Sequence, residues 1–376
     1  MATSGVHLLP QEVIMEILLR LPVKSLLRFR CVCKSWHSLI SHDSHFATSH
    51  FQLSASPTNR IILLDSYPPN ILSIDIDSSL NHSANDASLN LHFLSYRPQI
   101  GGSCRGFLFL LHNYFYEWYL WNPSTGVHKQ IPTSPILIEY DHYNFGKMLS
   151  AFTYNPSTDD YLIVLGTYKY NRDINPVYDS IDLEVFSLRA NDWKQIEVGS
   201  HLPYSPIASS DGTITVGLFF HASIHWLVNN YDTKRNVVIA LDLKDMTMSE
   251  MTLPDYFSSH LDLDCDLFVF GGRIGAWIVE QEMQTVEIWV MQEYALHSSW
   301  TKTLTFSFHS DLQFTPLCFT NCGDIVGIFA YGGLVKFDDK GEQLEYRSFH
   351  DRYIDRYEMV VFTESLLSFP AGTEQA

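Results

Sequence analysis

Residues of the types that bind metal ions cluster near the amino terminus of this 376-residue chain. One residue separates Cys31 from Cys33, and three histidines follow shortly afterwards, namely His37, His42 and His45. Thiolates and imidazoles are the usual ligands of zinc. Cys33, however, falls on the apolar side of a helical pattern, and a buried free cysteine behaves as a small apolar residue. We therefore expect core thiols and no bound metal here, and the same for Cys318 and Cys322.

A second candidate metal site is a short acidic run in which the carboxylates alternate with other residues: Asp262, Asp264 and Asp266. A calcium-binding EF-hand loop begins with this spacing, but it also needs glycine at its sixth position and glutamate at its twelfth. Leu267 and Arg273 occupy those positions in this chain. The alternation therefore predicts the outward face of a strand.

The sequence lacks the signatures of covalent and phosphate chemistry. It contains no G-x-S-x-G segment, no activated-cysteine context and no phosphate-binding loop. Two carboxylates can hydrolyse a glycoside, but no spacing among the 42 acidic residues singles out a pair. We expect a protein that is not an enzyme and has no catalytic residue, metal or cofactor. A sugar-binding module or glycosidase is the less favoured alternative.

Residues 8–40 have the pattern of three short helices. Leu9-Pro10 opens the first, because proline suits the first helical turn. The residue before a proline avoids helical geometry, so this helix should end near Leu21, and Pro22 can open the second. The third would contain Trp36, Leu39 and Ile40. Three helices of this length form a small core, so we expect an apolar surface that meets a partner.

From about Arg60 the sequence changes to short apolar runs separated by turn residues, which is typical of strands. Similar units recur at steps of about 50 residues, and propeller blades repeat every ~40–50 residues. Five units are visible, and residues 60–94 could supply a sixth or could join the strand at 359–362 to close the ring. We predict an α+β chain with a three-helix segment and an all-β, propeller-like domain of about six blades, five to seven being compatible with the sequence.

The amino-terminal pattern resembles an F-box. Order, spacing and residue type agree over more than 30 positions, at Leu9-Pro10, Glu12, Ile17, Leu18, Leu21-Pro22-Val23-Lys24-Ser25-Leu26, Phe29-Arg30, Val32-Cys33-Lys34, Trp36 and Ile40. The remainder is similar to the F-box-associated, kelch-related domain common in plants. That similarity rests on WNPSTG (121–126), on FTYNPSTDDYLIV (152–164) and on the blade-like repeats.

This resemblance implies a substrate-recognition subunit of a Skp–cullin–F-box ubiquitin ligase. In such a complex the F-box docks on a Skp-family adaptor and, through it, on the cullin and RING subunits. The second domain binds a protein substrate for ubiquitination and proteasomal degradation. Such a subunit catalyses nothing itself and acts through proximity. An F-box scaffold or regulator that binds the adaptor without promoting ubiquitination fits the same residues.

Two sets of residues are expected to form the binding surfaces. The adaptor-facing set is Leu9, Pro10, Ile14, Leu18, Leu21, Pro22 and Leu26. Ile17, Phe29 and Trp36 fit the internal core equally well. Ligands of propellers bind to loops that rim one face, and Tyr and Arg are frequent interface hot spots. The expected substrate-facing set is therefore Tyr140, Tyr143, Tyr168, Tyr170, Arg172 and Tyr178.

The charge of the chain is unevenly distributed. The total is −18, of which residues 1–50 carry +2 and the remainder −20. An acidic body repels phosphate, so we expect no nucleic-acid partner. The basic residues of the helical segment should lie on its exposed or adaptor-facing side, and they are Arg20, Lys24, Arg28, Arg30 and Lys34.

The remaining expectations concern location and domain boundaries. No uncharged apolar run approaches 18 residues and no signal peptide is recognisable, so we expect no membrane span and an intracellular protein, cytoplasmic and/or nuclear, with free thiols. The predicted domains are an F-box over 1–45, a linker over 46–59, the propeller-like domain over 60–365 and a tail over 366–376.

Overall fold

Helices form the amino-terminal part of the chain. The computed structural model describes residues 9–53, 59–64, 71–77, 79–80, 86–89, 91–94, 98–112, 117–136, 148–170, 178–198, 202–207, 214–259, 264–308, 313–329, 333–348 and 358–370. Four helices precede the first strand in this part of the chain: α1 (Gln11–Leu18), α2 (Val23–Phe29), α3 (Lys34–His42) and α4 (Ser44–Leu53). Pro10 and Pro22 stand directly before α1 and α2, in extended conformation. The helix starts predicted from the two Leu-Pro pairs are confirmed.

Helix α4 occupies positions that the sequence suggested as a linker. The Asp43 carboxylate accepts a hydrogen bond of 2.9 Å from the backbone N–H of Phe46, which is the usual way of capping a helix start. Phe46 and Ala47 on α4 are buried, and His50 Nε2 donates a 2.8 Å hydrogen bond to the carbonyl of Leu21. These contacts fix α4 against the first three helices.

Strands make up most of the remaining described residues. In chain order they are β1 (Asn59–Leu64), β2 (Ile71–Asp75), β3 (Ala87–Leu89), β4 (Gln99–Cys104), β5 (Phe107–His112), β6 (Glu117–Trp121), β7 (His128–Ile131), β8 (Met148–Asn155), β9 (Asp160–Tyr170), β10 (Tyr178–Ser187), β11 (Asp192–Ile196), β12 (Tyr204–Pro206), β13 (Ile214–Val216), β14 (Leu218–Phe220), β15 (Ser223–Asn230), β16 (Arg235–Asp242), β17 (Met248–Thr252), β18 (Asp264–Phe270), β19 (Arg273–Glu280), β20 (Thr285–Met291), β21 (Trp300–Ser307), β22 (Phe314–Phe319), β23 (Ile325–Phe329), β24 (Gly333–Phe337), β25 (Gln343–Ser348) and β26 (Glu358–Thr363). A short helix, α5 (Asp255–Ser259), lies between β17 and β18.

The described strands form the six blades of a β-propeller, which confirms the preferred blade number. Blade 1 has the order β26-β1-β2-β3, and blade 2 contains β4 to β7. Blade 3 has the order β11-β10-β9-β8-β13, and blade 4 has the order β12-β15-β16-β17 with β14 also paired to β15. Blades 5 and 6 contain β18 to β21 and β22 to β25. The innermost strands contact one another around a closed ring, in the order β26, β4, β8, β14, β18 and β22.

The core of the propeller lies between the blades. Each pair of adjacent blades shares one cluster of buried apolar residues, so a middle strand sends alternate side chains to two clusters. In β1, Ile61 and Leu63 pack against blade 6, whereas Ile62 and Leu64 pack against blade 2. Burial on both faces explains why this run is continuously apolar rather than alternating. The two options considered for residues 60–94 are both realised, because blade 1 also includes β26.

The helices pack against one face of the ring. Inner strands of a propeller run in the same direction, so the turns that follow them lie on one face. We call this the helix-side face, because α1 to α4 contact it and the strand ends Thr363 and Asn59 meet there. Leu18, Leu26 and Phe46 belong to the same buried cluster as residues of blades 2 and 3. The Arg105 guanidinium after β4 lies 5.3 Å from the ring centre of Phe51 in α4.

The segment after β26 joins the helices to blade 2. Leu366, Leu367 and Phe369 are buried in the cluster between them, although the sequence suggested a tail from residue 366. The Asn122 side-chain N–H group donates to the Ser365 carbonyl at 3.2 Å and to the Leu367 carbonyl at 3.0 Å. Gly106 has a φ of +83°, and a Cβ there would collide with the Ser365 side chain. Asn122 and Gly106 thus let the carboxyl-terminal segment pack closely.

We expect Asn122→Ala to lower the free energy of unfolding by about 2–4 kcal/mol, because several hydrogen bonds are lost and buried carbonyls become unsatisfied. Asn155 is the matched control, since it starts the second Asn-Pro-Ser-Thr segment but its side chain, among the described residues, bonds within its own turn. Asn155→Ala should cost about 1 kcal/mol at most. Urea unfolding followed by tryptophan fluorescence measures both, and equal losses would show that Asn122 does not anchor the segment.

Candidate functional site

The most prominent exposed apolar surface of the helical segment lies on α1. Leu9, Val13 and Ile17 are 57%, 42% and 48% exposed. Val13 and Ile17 lie four residues apart on α1, which brings them to one side of the helix, and Leu9 lies just before the helix. Pro10 is also exposed beside Leu9. We call these four residues the α1 face. Within the described part of the chain nothing covers it.

The opposite side of α1 is apolar as well, but it is covered. Leu18 and Leu19 are buried, and Ile14 and Met15 pack against the same cluster. A helix that needed only to cover its own domain would present one apolar stripe and a polar outer face. Helix α1 instead has apolar residues on two sides, so its outer side is the candidate docking surface.

The structure divides the predicted adaptor-facing set into three groups. Leu9, Pro10 and Pro22 are exposed, and Ile14 and Leu21 are half-buried. Leu18 and Leu26 are fully buried, so they support the surface from within and are not available to a partner. They are buried because both pack into the cluster that also contains residues of blades 2 and 3.

Two members of the α1 face were not in the predicted set. Val13 was not selected, and Ile17 was considered for the internal core. The signal in the sequence was the four-residue spacing from Leu9, which was hidden because the buried residues on α1 follow an equally regular apolar pattern. Phe29 and Trp36 are half-buried and contact each other, with ring centres 5.6 Å apart.

The Cys-x-Cys segment lies on the surface, contrary to the expectation of core thiols. Cys31 and Cys33 are both exposed in the connection between α2 and α3, and Val32 between them is 61% exposed. After α2 the backbone N–H groups of Cys31 and Val32 bond to the carbonyls three residues earlier, so the α-helical pattern does not continue through these residues. A hydrogen bond with the Ser35 hydroxyl lowers the pKa of the Cys33 thiol.

The second pair of cysteines is only partly in the core. Burial raises the pKa of the Cys318 thiol to about 12, whereas Cys322 is exposed in the turn after β22. Among the described residues, His, Cys, Asp and Glu side chains do not gather in groups of three or more that could hold a metal ion.

The helical segment carries exposed basic side chains. Lys24, Arg28 and Lys34 are exposed, and Arg20 is exposed and paired with Glu16 one turn earlier on α1. Arg30 is half-buried and its Nε donates to the Leu27 carbonyl at 3.3 Å. An exposed apolar face on helices that also carry exposed basic residues suits a partner whose docking surface is apolar and acidic.

The predicted substrate-facing residues are not assembled into a surface among the described residues. Tyr140, Tyr143 and Arg172 lie outside the described residues. Tyr168 is buried in the cluster between blades 3 and 4, so it cannot contact a substrate. Tyr170 and Tyr178 pair through their backbones at the ends of β9 and β10. Those strand ends lie on the face of the ring opposite to the helices.

The acidic run near residue 264 lies on an innermost strand. Asp262 is outside the described residues, and Asp264 and Asp266 begin β18. Desolvation raises the pKa of the Asp266 carboxyl to about 6. Asp264 and Asp266 lie on a strand, as predicted, and that strand is the innermost of blade 5.

No helix among the described residues is long and apolar enough to cross a bilayer. Comparison with protein families matches residues 6–47 to the F-box domain and residues 65–332, more than half of the chain, to the F-box associated beta propeller domain.

Similar proteins carry the F-box in their names. The F-box/kelch-repeat protein At3g23880 of Arabidopsis thaliana is 27% identical over 315 residues, which are 80% of this chain and 79% of that protein. The F-box protein CPR1 of Arabidopsis thaliana is 26% identical over 79% of this chain and 72% of its own length. A chain from the nidogen/laminin complex matches with a TM-score of 0.43 and 8% identity, over 82% of this chain and 100% of that chain. The chain belongs to the F-box proteins that carry an F-box associated beta propeller domain.

Proposed function

We propose that this protein is the substrate-recognition subunit of a Skp–cullin–F-box ubiquitin ligase. The observation that carries the proposal is the α1 face, an uncovered apolar side of an F-box helix. On this proposal the face docks on a Skp-family adaptor, and the adaptor connects the chain to the cullin and RING subunits. The F-box, the propeller and the F-box relatives support a substrate-adaptor role in general.

The energetics of the α1 face support docking. Fully burying an aliphatic side chain contributes roughly 1.5–3 kcal/mol, before the cost of association. Leu9, Val13 and Ile17 are about half-exposed, so a partner that covers all three gains a substantial part of that range at each. The helix beneath them is held by buried Leu18 and Leu19, so little conformational entropy is lost on binding.

The propeller is the proposed holder of a protein substrate. Because α1 to α4 and the segment after β26 pack against blades 2 and 3, a substrate bound to the ring is held at a fixed position relative to the adaptor. The contribution of this subunit is then proximity, because it raises the effective concentration of substrate lysines near ubiquitin activated on another subunit. Proteins of this domain composition are typically non-catalytic, and we propose no reaction for this chain. We place its action inside the cell, in the cytoplasm and/or nucleus.

We expect Ile17→Asp to weaken binding to a Skp-family adaptor about 100-fold, equivalent to about 2.7 kcal/mol, because a charge would be buried in an apolar interface. Met283→Asp is the control, since Met283 is 68% exposed in the turn after β19, on the face opposite to the helices. Isothermal titration calorimetry with purified adaptor measures both. Wild-type affinity of Ile17→Asp, or an equal loss in Met283→Asp, would contradict docking through the α1 face.

The exposed basic residues of the helices should act on the association rate with the adaptor. We expect Lys24→Glu to slow association with an acidic adaptor several-fold at low salt and to have a much smaller effect at high salt, because long-range attraction is screened. Lys340→Glu, in the turn after β24, should leave the association rate unchanged at low and at high salt. Stopped-flow mixing at several salt concentrations measures the association rate. A rate that does not depend on salt would count against an electrostatic role of these basic residues.

The receptor role and the regulator role differ in whether the bound protein is ubiquitinated and degraded. Proximity labelling in cells, with and without proteasome inhibition, compares the wild-type protein with Ile17→Asp. A receptor gives polyubiquitinated neighbours that accumulate under inhibition with the wild-type chain and not with the variant. A scaffold or regulator binds the adaptor but yields no such neighbours, and that result would overturn the receptor proposal.

A further inference from the structure

A recess opens on the helix-side face between blades 4 and 5, away from the blades that the helices contact. It has a volume of about 160 Å³ and is formed by the turn after β14, the turn after β18 and the connection after β20. Its lining residues are Phe220, His221, Gly272, Arg273, Ile274, Met291, Gln292 and Tyr294. Cavities for small molecules and cofactors usually occupy 300–1,000 Å³, so this volume suits one large side chain.

The surroundings of the recess are apolar and exposed. Phe219 on β14, Val269 on β18 and Leu296 after β20 are all large apolar residues open to solvent, and Tyr294 is exposed at the edge of the recess. Ile274 and Met291 are buried and form its floor. An exposed apolar area around a small depression has the anatomy of an interface centre, where an anchor residue enters a pocket and its neighbours exclude water.

The aromatic wall of the recess is held in position by a buried histidine. His225 Nδ1 lies 3.3 Å from the Leu218 carbonyl and must donate to it, so Nε2 accepts the hydrogen bond of 2.8 Å from the Tyr294 hydroxyl. Burial lowers the pKa of His225 to about 4, which keeps the ring neutral and this arrangement intact at neutral pH. Phe220 stacks on His221 with ring centres 4.2 Å apart, and Tyr294 leans against both.

Among the described residues that line the recess, one carries a formal charge. Arg273 follows the tight turn Gly271-Gly272, in which φ values of +55° and +71° favour glycine. The Arg273 side chain is exposed, and within the described part of the chain it forms no ion pair. An arginine beside an apolar pocket favours a carboxylate, because its planar group can donate two parallel hydrogen bonds.

The charge of the whole protein limits what can bind there. A partner with many acidic residues would be repelled by a chain of net charge −18. A single carboxylate that reaches Arg273 avoids most of that repulsion. A short motif with one acid next to an apolar anchor therefore fits better than a broadly acidic surface.

We propose that this recess binds a peptide segment of the protein substrate, with an apolar side chain in the recess and an adjacent Asp or Glu paired with Arg273. The proposal rests on the receptor function proposed above and adds the substrate face and the chemistry of the motif. It differs from the expectation that residues near 140 and 170 bind the substrate, because β9 ends and β10 begins on the other face of the ring.

The test uses fluorescent hexapeptides Gly-Ser-Φ-Glu-Ser-Gly, with Φ being Leu, Met, Phe or Trp, and the full-length chain bound to its adaptor. Fluorescence anisotropy should show saturable binding for at least one Φ. Replacing Glu by Gln in the peptide should weaken its affinity about tenfold, and replacing Φ by Ala should have the same effect. Arg273→Gln should remove the difference between Glu and Gln peptides. No binding by any of the four peptides, or an unchanged Glu preference in Arg273→Gln, would overturn the proposal.

Arg189→Gln is the matched control, because Arg189 is an exposed arginine on blade 3 that pairs with Asp159 at 3.0 Å. It should leave peptide binding unchanged, and an equal loss in this variant would also overturn the proposal. Adaptor affinity is measured in parallel. If Arg273→Gln and wild type bind the adaptor equally while no peptide binds, the recess proposal fails alone. If the wild-type chain binds no Skp-family adaptor, the proposed function itself fails.

Discussion

The return of the carboxyl-terminal chain to the start of the ring is the interaction on which the rest of the fold depends. Strand β26 pairs with β1 along its whole length, from Asn59 opposite Thr363 to Leu64 opposite Glu358. Without it blade 1 would lose its innermost strand, and the inner ring would be open between β22 and β4. The chain then continues into the cluster shared by the helices and blade 2, where Leu366, Leu367 and Phe369 are buried. One segment therefore closes the propeller and fixes the F-box to it.

This arrangement fixes the geometry between the two proposed binding surfaces. The F-box helices and the recess between blades 4 and 5 lie on the same face of the ring, and the propeller between them is packed through every blade junction. Well-packed interiors deform little. The distance between an adaptor bound at the α1 face and a peptide bound in the recess is then set by the fold, which is what a proximity mechanism needs.

Much of the fold could be predicted from the sequence, because its signals are local. Proline before α1 and α2 sets the helix starts, and the repeated apolar runs set the number of blades. The binding surfaces were harder to predict from the sequence, since the burial of a side chain depends on neighbours that are distant in the sequence. Leu18 and Ile17 are adjacent and both apolar, yet one is buried under other elements and the other is exposed. Tyr168 sits beside polar, loop-like residues, but it extends a strand whose side chains fill a blade junction.

The two Asn-Pro-Ser-Thr segments show which features of the structure the local sequence determines and which it does not. In both, the asparagine Oδ1 accepts a hydrogen bond from the backbone N–H two residues later, so the tetrapeptide specifies the same turn twice. Only Asn122 is buried, and only its N–H group reaches the carboxyl-terminal segment. Asn155 stands at the turn between β8 and β9 of blade 3, where Tyr154 and Arg105 meet instead. The motif therefore encodes a conformation, and the chain that passes over it determines whether that conformation becomes an anchor.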